Sequence, residues 1–200
     1  MSMETALILT PNKRRLWFGH SRAELAYISN EQLIDRTVRQ LRNLGVNNVV
    51  AITNSERVAI KVQALPGVDS YPTALLQSTR AWGDRTYILW GDVVWERKGL
   101  QAALQDRKPV GFYGNYCSVY ACAFDTREQD RVGKILSELA HHPRNHDFMW
   151  DLYHACIGEN LVGEYDRVWD YSVFKVIPSV GTPANGNGEA YTTRLTYSWD

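Results

Sequence analysis

Residues Thr86 to Glu96 read Thr-Tyr-Ile-Leu-Trp-Gly-Asp-Val-Val-Trp-Glu. The first half is a short apolar run rich in β-formers, and it breaks at Gly91-Asp92 before a second apolar pair. This predicts a buried strand that delivers one carboxylate, Asp92, to its carboxyl end. In open α/β sheets ligands bind outside the carboxyl ends of the strands, so Asp92 is placed to hold a metal or to touch a ligand. The competing reading is a Gly-Asp turn between two strands of a hairpin.

Upstream, Thr5 to Leu9 is a short strand candidate cut off at Pro11. Ser29-Asn30-Glu31-Gln32 offers an N-cap for a helix with Leu33, Ile34, Val38, Leu41 and Leu44 on one face, and Gly45 stops it. Val46 to Thr53 is then a strand, so the segment forms a βαβ unit with a parallel pair and a right-handed crossover. Leu65-Pro66-Gly67 reads as a turn, Val68 to Tyr71 as a short edge strand, and Thr73 to Trp82 as a helix ended by Gly83-Asp84.

Downstream, Leu100 to Leu104 is a short helix. Pro109 to Tyr113 and Tyr116 to Phe124 are two strands around Gly114-Asn115, where antiparallel pairing enters the sheet. Gln129 to His141 is helical, with Val132, Ile135, Leu136 and Leu139 facing inward. A further helix starts at Asn145 or His146, buries Phe148, Met149, Leu152, Tyr153 and Cys156, and ends at Gly158. The segment 159–200 is less regular, with a strand candidate inside Val168 to Ile177. The Gly-, Pro- and Asn-rich stretch Val180 to Glu189 is read as a loop or as a lid over the site. The whole is one α/β domain over residues 1–200, with a mixed, mainly parallel sheet flanked by helices.

Two hundred residues with 44% hydrophobic content are enough to bury a full core. Lys plus Arg and Asp plus Glu each number 22, so net charge announces neither a nucleic-acid nor a membrane partner. No apolar run approaches membrane-spanning length, and the default expectation is a cytoplasmic protein. Cys117, Cys122 and Cys156 are odd in number, match no zinc spacing, and read as buried small hydrophobes. Seven Trp and eleven Tyr supply core packing, and also rings able to stack on bases and sugars.

Two stretches carry candidate chemistry beside Asp92. Pro11 to Arg22 interleaves Lys13, Arg14, Arg15 and Arg22 with Trp17 and Phe18. At the end of a first strand such a loop suits phosphates, with Trp17 stacking on a base; otherwise it is a solvated charge run. His146 and Asp147, after Pro143, are candidates for a catalytic base, Asp147 alternatively serving as a helix cap. His141, His142 and His146 do not form a zinc set, because Pro143 disrupts their spacing and no Cys lies nearby.

With these residues on the page, a resemblance can be stated. The run Glu24 to Leu41, followed by Gly45-Val46-Asn47-Asn48-Val49-Val50, resembles the sugar-phosphate nucleotidyltransferase pattern of a short strand, a helix and a "lGidevvvvt" strand. Tyr87-Ile88-Leu89-Trp90-Gly91-Asp92-Val93-Val94 is similar to that family's "illlGDvif". Gly111 to Gly114 and Val119 to Phe124 look like the paired strands of small phage-type members. The likeness covers about the first 125 residues, and the order and spacing of its blocks carry it. It implies a GT-A-like, Rossmann-like nucleotide-diphospho-sugar transferase fold. It also implies that Asp92 binds Mg²⁺ or Mn²⁺ beside nucleotide phosphates.

The pattern departs in two places. Leu9 to Leu16 lacks the glycine pair with which such enzymes wrap a nucleoside triphosphate, and the distal second carboxylate motif is not recognisable, Asp166 and Asp170 being the nearest candidates. Glycosyl transfer keeps the metal and the diphosphate without needing that loop. The leading expectation is therefore a metal-dependent glycosyltransferase moving a sugar from a nucleotide sugar to an acceptor hydroxyl, with Asp92, His146 and Asp147 catalytic. Lys13, Arg14, Arg15, Trp17 and Arg22 would bind the substrate. Phage-type relatives make a hydroxymethylated base in DNA the candidate acceptor. The alternatives are a nucleotidyltransferase with a rewritten phosphate loop and a non-catalytic nucleotide-binding relative.

Overall fold

The computed structural model describes residues 3–10, 16–17, 21–28, 30–68, 70–115, 118–142, 148–159, 169–177 and 193–194. A sheet of seven strands is built from β1 (Glu4–Leu9), β2 (Asn48–Thr53), β3 (Gln63–Pro66), β4 (Arg85–Trp90), β5 (Val110–Gly114), β6 (Val119–Asp125) and β7 (Phe174–Val176). Their order is β7-β5-β6-β4-β1-β2-β3. Pairing is parallel throughout except that β6 runs against both β4 and β5. This is the mixed, mainly parallel α/β sheet expected from the sequence.

The central strands read as continuous apolar runs because both of their faces are covered. Every residue of β4 is buried, as are all but the first of β1 and of β2. Alternate residues of β4 meet different layers. The Tyr87 hydroxyl donates to the Leu104 carbonyl of helix α4 (Arg97–Gln105) at 3.1 Å. Trp90, three residues on, packs edge-on against Tyr71 of helix α3 (Tyr71–Gln77), and against Phe148 of helix α6 (Phe148–Ile157). Helix α5 (Gln129–His141) packs between α3 and α6.

Helix α1 (Leu33–Asn43) turns Leu33, Ile34, Val38 and Leu41 inward and ends at Gly45, whose φ of 96° is the left-handed conformation of a helix stop. The expected cap at Ser29 to Gln32 is corrected. Tyr27–Ile28 and Glu31–Gln32 pair as a small hairpin, with Asn30 at a φ of 69° in its turn. Gln32 is the cap residue and makes no side-chain capping bond. Arg39 grips Glu31 through two hydrogen bonds of 2.9 and 2.6 Å, tying this hairpin to the helix and holding the Glu31 carboxyl below its ordinary range. The expected edge strand is corrected too. It is Gln63–Pro66, after the short helix α2 (Glu56–Ala59), and Tyr71 already opens α3. Pro66 is tolerated because it closes an edge strand, where a missing N–H breaks no interior ladder.

Beyond these, α5 has the expected bounds, and β5 and β6 form the expected antiparallel pair, with a register shift at Tyr113/Gly114. In the C-terminal part, the described residues of Val168 to Ile177 contribute the three-residue β7, paired parallel to β5. Val180 to Glu189 lies outside the described residues.

Cys122 and Cys156 are buried, as expected of small hydrophobes; Cys117 lies outside the described residues. Burial pushes the Cys156 thiol up to about 12 and the Cys122 thiol well above its ordinary value. Because the folded value exceeds the unfolded one, the unfolded chain loses its thiol proton first as pH rises. The Cys156 contribution is complete below pH 9.0 and is lost as pH climbs toward 12. Urea midpoints measured at successive pH values should therefore fall more steeply above that lower limit for the wild type than for Cys156→Ala. A second expectation concerns Gly114, where an added Cβ would stand 2.0 Å from the Ser118 carbonyl oxygen and 2.9 Å from the Val119 Cα. Gly114→Ala should cost about 3 kcal/mol in urea unfolding, since backbone, not a flexible side chain, is in the way.

Candidate functional site

The carboxyl ends of β1, β2, β4 and β5 open on one edge of the sheet, and the residues just beyond them form the candidate site. After Leu9, Thr10 stays buried and is fixed to β2, its amide and its hydroxyl both donating to the Ile52 carbonyl at 3.1 and 3.2 Å. After Trp90, the amide of Gly91 donates to the Leu9 carbonyl at 2.8 Å, extending the β1–β4 ladder by one residue. Asp92 follows and is fully buried. The carboxylate predicted from Thr86 to Glu96 thus stands at the end of a central parallel strand and not at the tip of a hairpin.

The chain does not leave the edge at Asp92. Val93–Val94 pairs antiparallel with Thr193–Arg194, so the C-terminal part of the chain returns to the residues next to the carboxylate. Trp95 is fully buried, and its ring meets Tyr120 of β6 edge-on at 6.4 Å. Its carbonyl accepts from Gln40 Nε2 of α1 at 3.0 Å. Glu96 faces Arg36 of α1 at 3.7 Å, and its carbonyl accepts the Leu100 amide in the first turn of α4.

The neighbouring β5–β6 turn is shaped by its own polar groups. Asn115 and Ser118 exchange two hydrogen bonds, backbone to backbone at 2.9 Å and Ser118 amide to Asn115 Oδ1 at 2.8 Å. Asn115 Nδ2 donates to the Tyr120 hydroxyl at 2.7 Å. The Ile177 amide donates to the Gly114 carbonyl at 2.8 Å. The sequence marks Gly114-Asn115 as a turn; nothing in it announces that Tyr120 joins this turn to Trp95.

The other predicted residues are placed as follows. Leu16–Trp17 pairs antiparallel with Ser21–Arg22, so Trp17 and Arg22 stand in a two-residue ladder on the loop that leaves β1 at this edge. Lys13, Arg14 and Arg15 lie outside the described residues, as do His146, Asp147 and Asp166. The residue after Asp147, Phe148, has its ring 6.5 Å from that of Trp90, so the chain enters α6 beside the end of β4. Asp170 accepts from Ser172, whose side chain first and whose backbone amide, at 2.8 Å, second hold its carboxyl below the ordinary range. Two buried polar residues of α6, Asp151 and His154, went unpredicted, because the helix reading assigned only apolar residues to the interior.

Among the described residues no three His, Cys, Asp or Glu side chains gather into a group able to hold a metal. An open groove of about 720 Å³ lined by Arg107, Lys108, Tyr171 and Lys175 lies at the opposite edge, by the start of β5. Its cations are committed: Arg107 to Glu4, Lys108 to the Tyr171 carbonyl, Lys175 to the Ala102 carbonyl.

No protein-family model matches this chain, and no curated protein matches it by sequence. Solved structures do share its fold. It superposes on CTP:phosphocholine cytidylyltransferase from Streptococcus pneumoniae with a TM-score of 0.60 and 12% identity, over 96% of this chain and 93% of that one. For 4-diphosphocytidyl-2C-methyl-D-erythritol synthase from Anaerococcus prevotii the TM-score is 0.59 at 6% identity, over 88% and 86% of the two chains. A nucleotidyl transferase from Methanothermobacter thermautotrophicus gives 0.52 at 18% identity, over 68% and 76%. The likeness is one of fold: this chain shares the α/β fold of these solved structures.

Proposed function

We propose that this protein is a nucleotidyltransferase, moving a nucleoside monophosphate from a nucleoside triphosphate to the phosphate of a small acceptor and releasing pyrophosphate. The observation that carries the reading is the superposition on a cytidylyltransferase over nearly the full length of both chains, with Asp92 at the carboxyl end of a central strand. One of the similar structures is named a CTP-dependent cytidylyltransferase and another is named for a diphosphocytidyl product, which makes CTP the first donor to try.

In this reaction an acceptor phosphate oxygen attacks the α-phosphorus, a P–O bond forms, and the bond to the bridging oxygen breaks as pyrophosphate departs. Charge accumulates on the phosphoryl oxygens, so stabilisation is mainly electrostatic. Asp92 would hold Mg²⁺ or Mn²⁺, which supplies Lewis-acid neutralisation of the phosphates. Lys13, Arg14, Arg15 and Arg22 would neutralise the triphosphate in place of a glycine-rich loop, with Trp17 stacking on the base. An acceptor phosphate is already anionic, so this chemistry needs no general base. On this reading His146 and Asp147 have no proton to take from the acceptor.

Glycosyl transfer is the second reading, favoured by the missing glycine pair between Leu9 and Leu16. It would use His146 or Asp147 to take a proton from an acceptor hydroxyl, with hydroxymethylated DNA the acceptor to test. No helix among the described residues is long and apolar enough to cross a membrane.

The deciding experiment presents the protein, with Mg²⁺ or Mn²⁺, to nucleoside triphosphates paired with phosphocholine or sugar 1-phosphates, and in parallel to nucleotide sugars. Pyrophosphate release is expected with a triphosphate, together with thermal stabilisation of about 2.7 kcal/mol at 100 times the dissociation constant. Stabilisation by nucleotide sugars alone, without pyrophosphate, would sink the proposal in favour of glycosyl transfer. Asp92→Asn is expected to lower turnover by at least about 100-fold. Its melting temperature without ligand should move far less than its activity.

A further inference from the structure

Asp92 stands at the strand end where a ligand would be met, yet the residue has no exposed surface at all. A metal ion or a phosphate can reach it only if part of the chain around it moves aside, because the contacts that shield a buried carboxylate from water shield it from ions too. Which part yields depends on how each is fastened.

The described elements at this edge are fastened unequally. Thr10 holds the Ile52 carbonyl through two hydrogen bonds, and Gly91 continues the β1–β4 ladder. Beyond Asp92, Trp95 is buried, tied to α1 through the Gln40 amide and rested on Tyr120, and Glu96 faces Arg36. The β5–β6 turn is closed by Asn115 and Ser118. Each of these leans on the seven-stranded sheet or on a helix. Thr193–Arg194 does not. Among the described residues it pairs with Val93–Val94 and with no other strand, Thr193 opposite Val94 and Arg194 opposite Val93. A two-residue ladder carries too few hydrogen bonds to be stable by itself, and such pieces open at a fraction of the cost of a central strand.

Chain length allows that opening. Ile177, just past β7, is anchored at the same edge by its amide on the Gly114 carbonyl. Fifteen residues, 178–192, separate it from Thr193, enough chain for the short strand to part from Val93–Val94 while β7 stays in place. Val93 is fully buried, so parting would uncover the chain immediately after the carboxylate.

We propose that Thr193–Arg194 is a strap: its pairing with Val93–Val94 closes the site over Asp92, and its release admits the ligand. The ligand side of this rests on the reading that Asp92 is a ligand contact; the opening itself does not. A strap that must open lowers affinity in proportion to the fraction of molecules in which it is open, so pairing and binding oppose one another.

The first test closes the strap reversibly. Directly opposed residues of an antiparallel pair stand close enough for a disulfide, so Val94→Cys with Thr193→Cys, in a Cys117→Ser background, can be locked by oxidation and freed by dithiothreitol. Binding of Mn²⁺ with CTP, read by calorimetry, is expected to weaken by at least about tenfold on oxidation and to recover on reduction. The second test needs no ligand. In the same background Asp92→Cys places a thiol at the site, and its alkylation by a maleimide reports how often the site opens. Adding Thr193→Pro and Arg194→Pro removes both amide donors of the strap. Alkylation should then quicken by at least about tenfold, while the buried Cys122 and Cys156 stay unreacted. Unchanged binding by the folded, disulfide-locked protein would overturn the proposal, and so would an unchanged alkylation rate. Reaction of Cys122 and Cys156 in the proline variant would do the same, since the loosening would then be general. If neither the wild type nor the reduced variant binds Mn²⁺ or CTP, the reading of Asp92 as a ligand contact fails by itself, and alkylation alone decides whether the strap opens.

Discussion

The close approach of Gly91 to the end of β1 is the contact on which the carboxyl edge of this sheet depends. A Cβ at this position would lie 3.1 Å from both the Ile8 Cγ2 and the Leu9 carbonyl oxygen, tighter than side chains ordinarily pack. Glycine lets the backbone come in far enough for its amide to reach Leu9, so the parallel ladder runs one residue past Trp90. Asp92 is therefore the first residue released from the sheet, and its starting point is set by two central strands instead of by a loop. A carboxylate held this way arrives at the edge with little backbone freedom, which is what a metal or phosphate contact requires.

The two edges of the sheet use buried polar groups differently. At the amino edge Arg85 is buried over the Tyr87 ring and donates to the Lys108 and Asp106 carbonyls at 2.9 and 2.8 Å, fastening the connection between α4 and β5. That guanidinium ties down backbone on the side of the sheet remote from Asp92. At the carboxyl edge Thr10, Gln40 and Asp92 gather where the strands end and the chain turns. One edge is closed by its polar residues, and the other is shaped by them.

The parts of this arrangement that were legible in the sequence are those written as period or punctuation. The unbroken apolar run of β4, the inward stripe of α1, the left-handed glycines 45 and 158, and the β5–β6 turn all follow from local rules. The position of Asp92 at a strand end followed from the same rules. What could not be read depends on distant chain. Gln40 looks like one more polar residue of an amphipathic helix, and only the return of Trp95, 55 residues later, gives its amide a task. Asp151 and His154 are polar by type and buried by packing. The displaced third strand reflects competition: Pro66 signals a turn locally, yet an edge position accommodates it, and Tyr71 is drawn into a helix with Pro72 in its first turn. The choice between glycosyl and nucleotidyl transfer also went beyond what residue spacing could carry, because both chemistries ask for a carboxylate at the same strand end.

The β1–β4 pairing has a consequence for the order in which the molecule assembles. Its partners are 81 residues apart in the chain, whereas the β5–β6 hairpin is local and can form early. Closing so long a loop is entropically expensive and slow, so pairing of this kind tends to come late. Until it closes, Gly91 has no Leu9 to lean on and Asp92 has no defined location. A newly made or partly unfolded chain would thus hold its helices and hairpin before Asp92 reached its place at the strand end, and the placing of that carboxylate would mark the completion of folding.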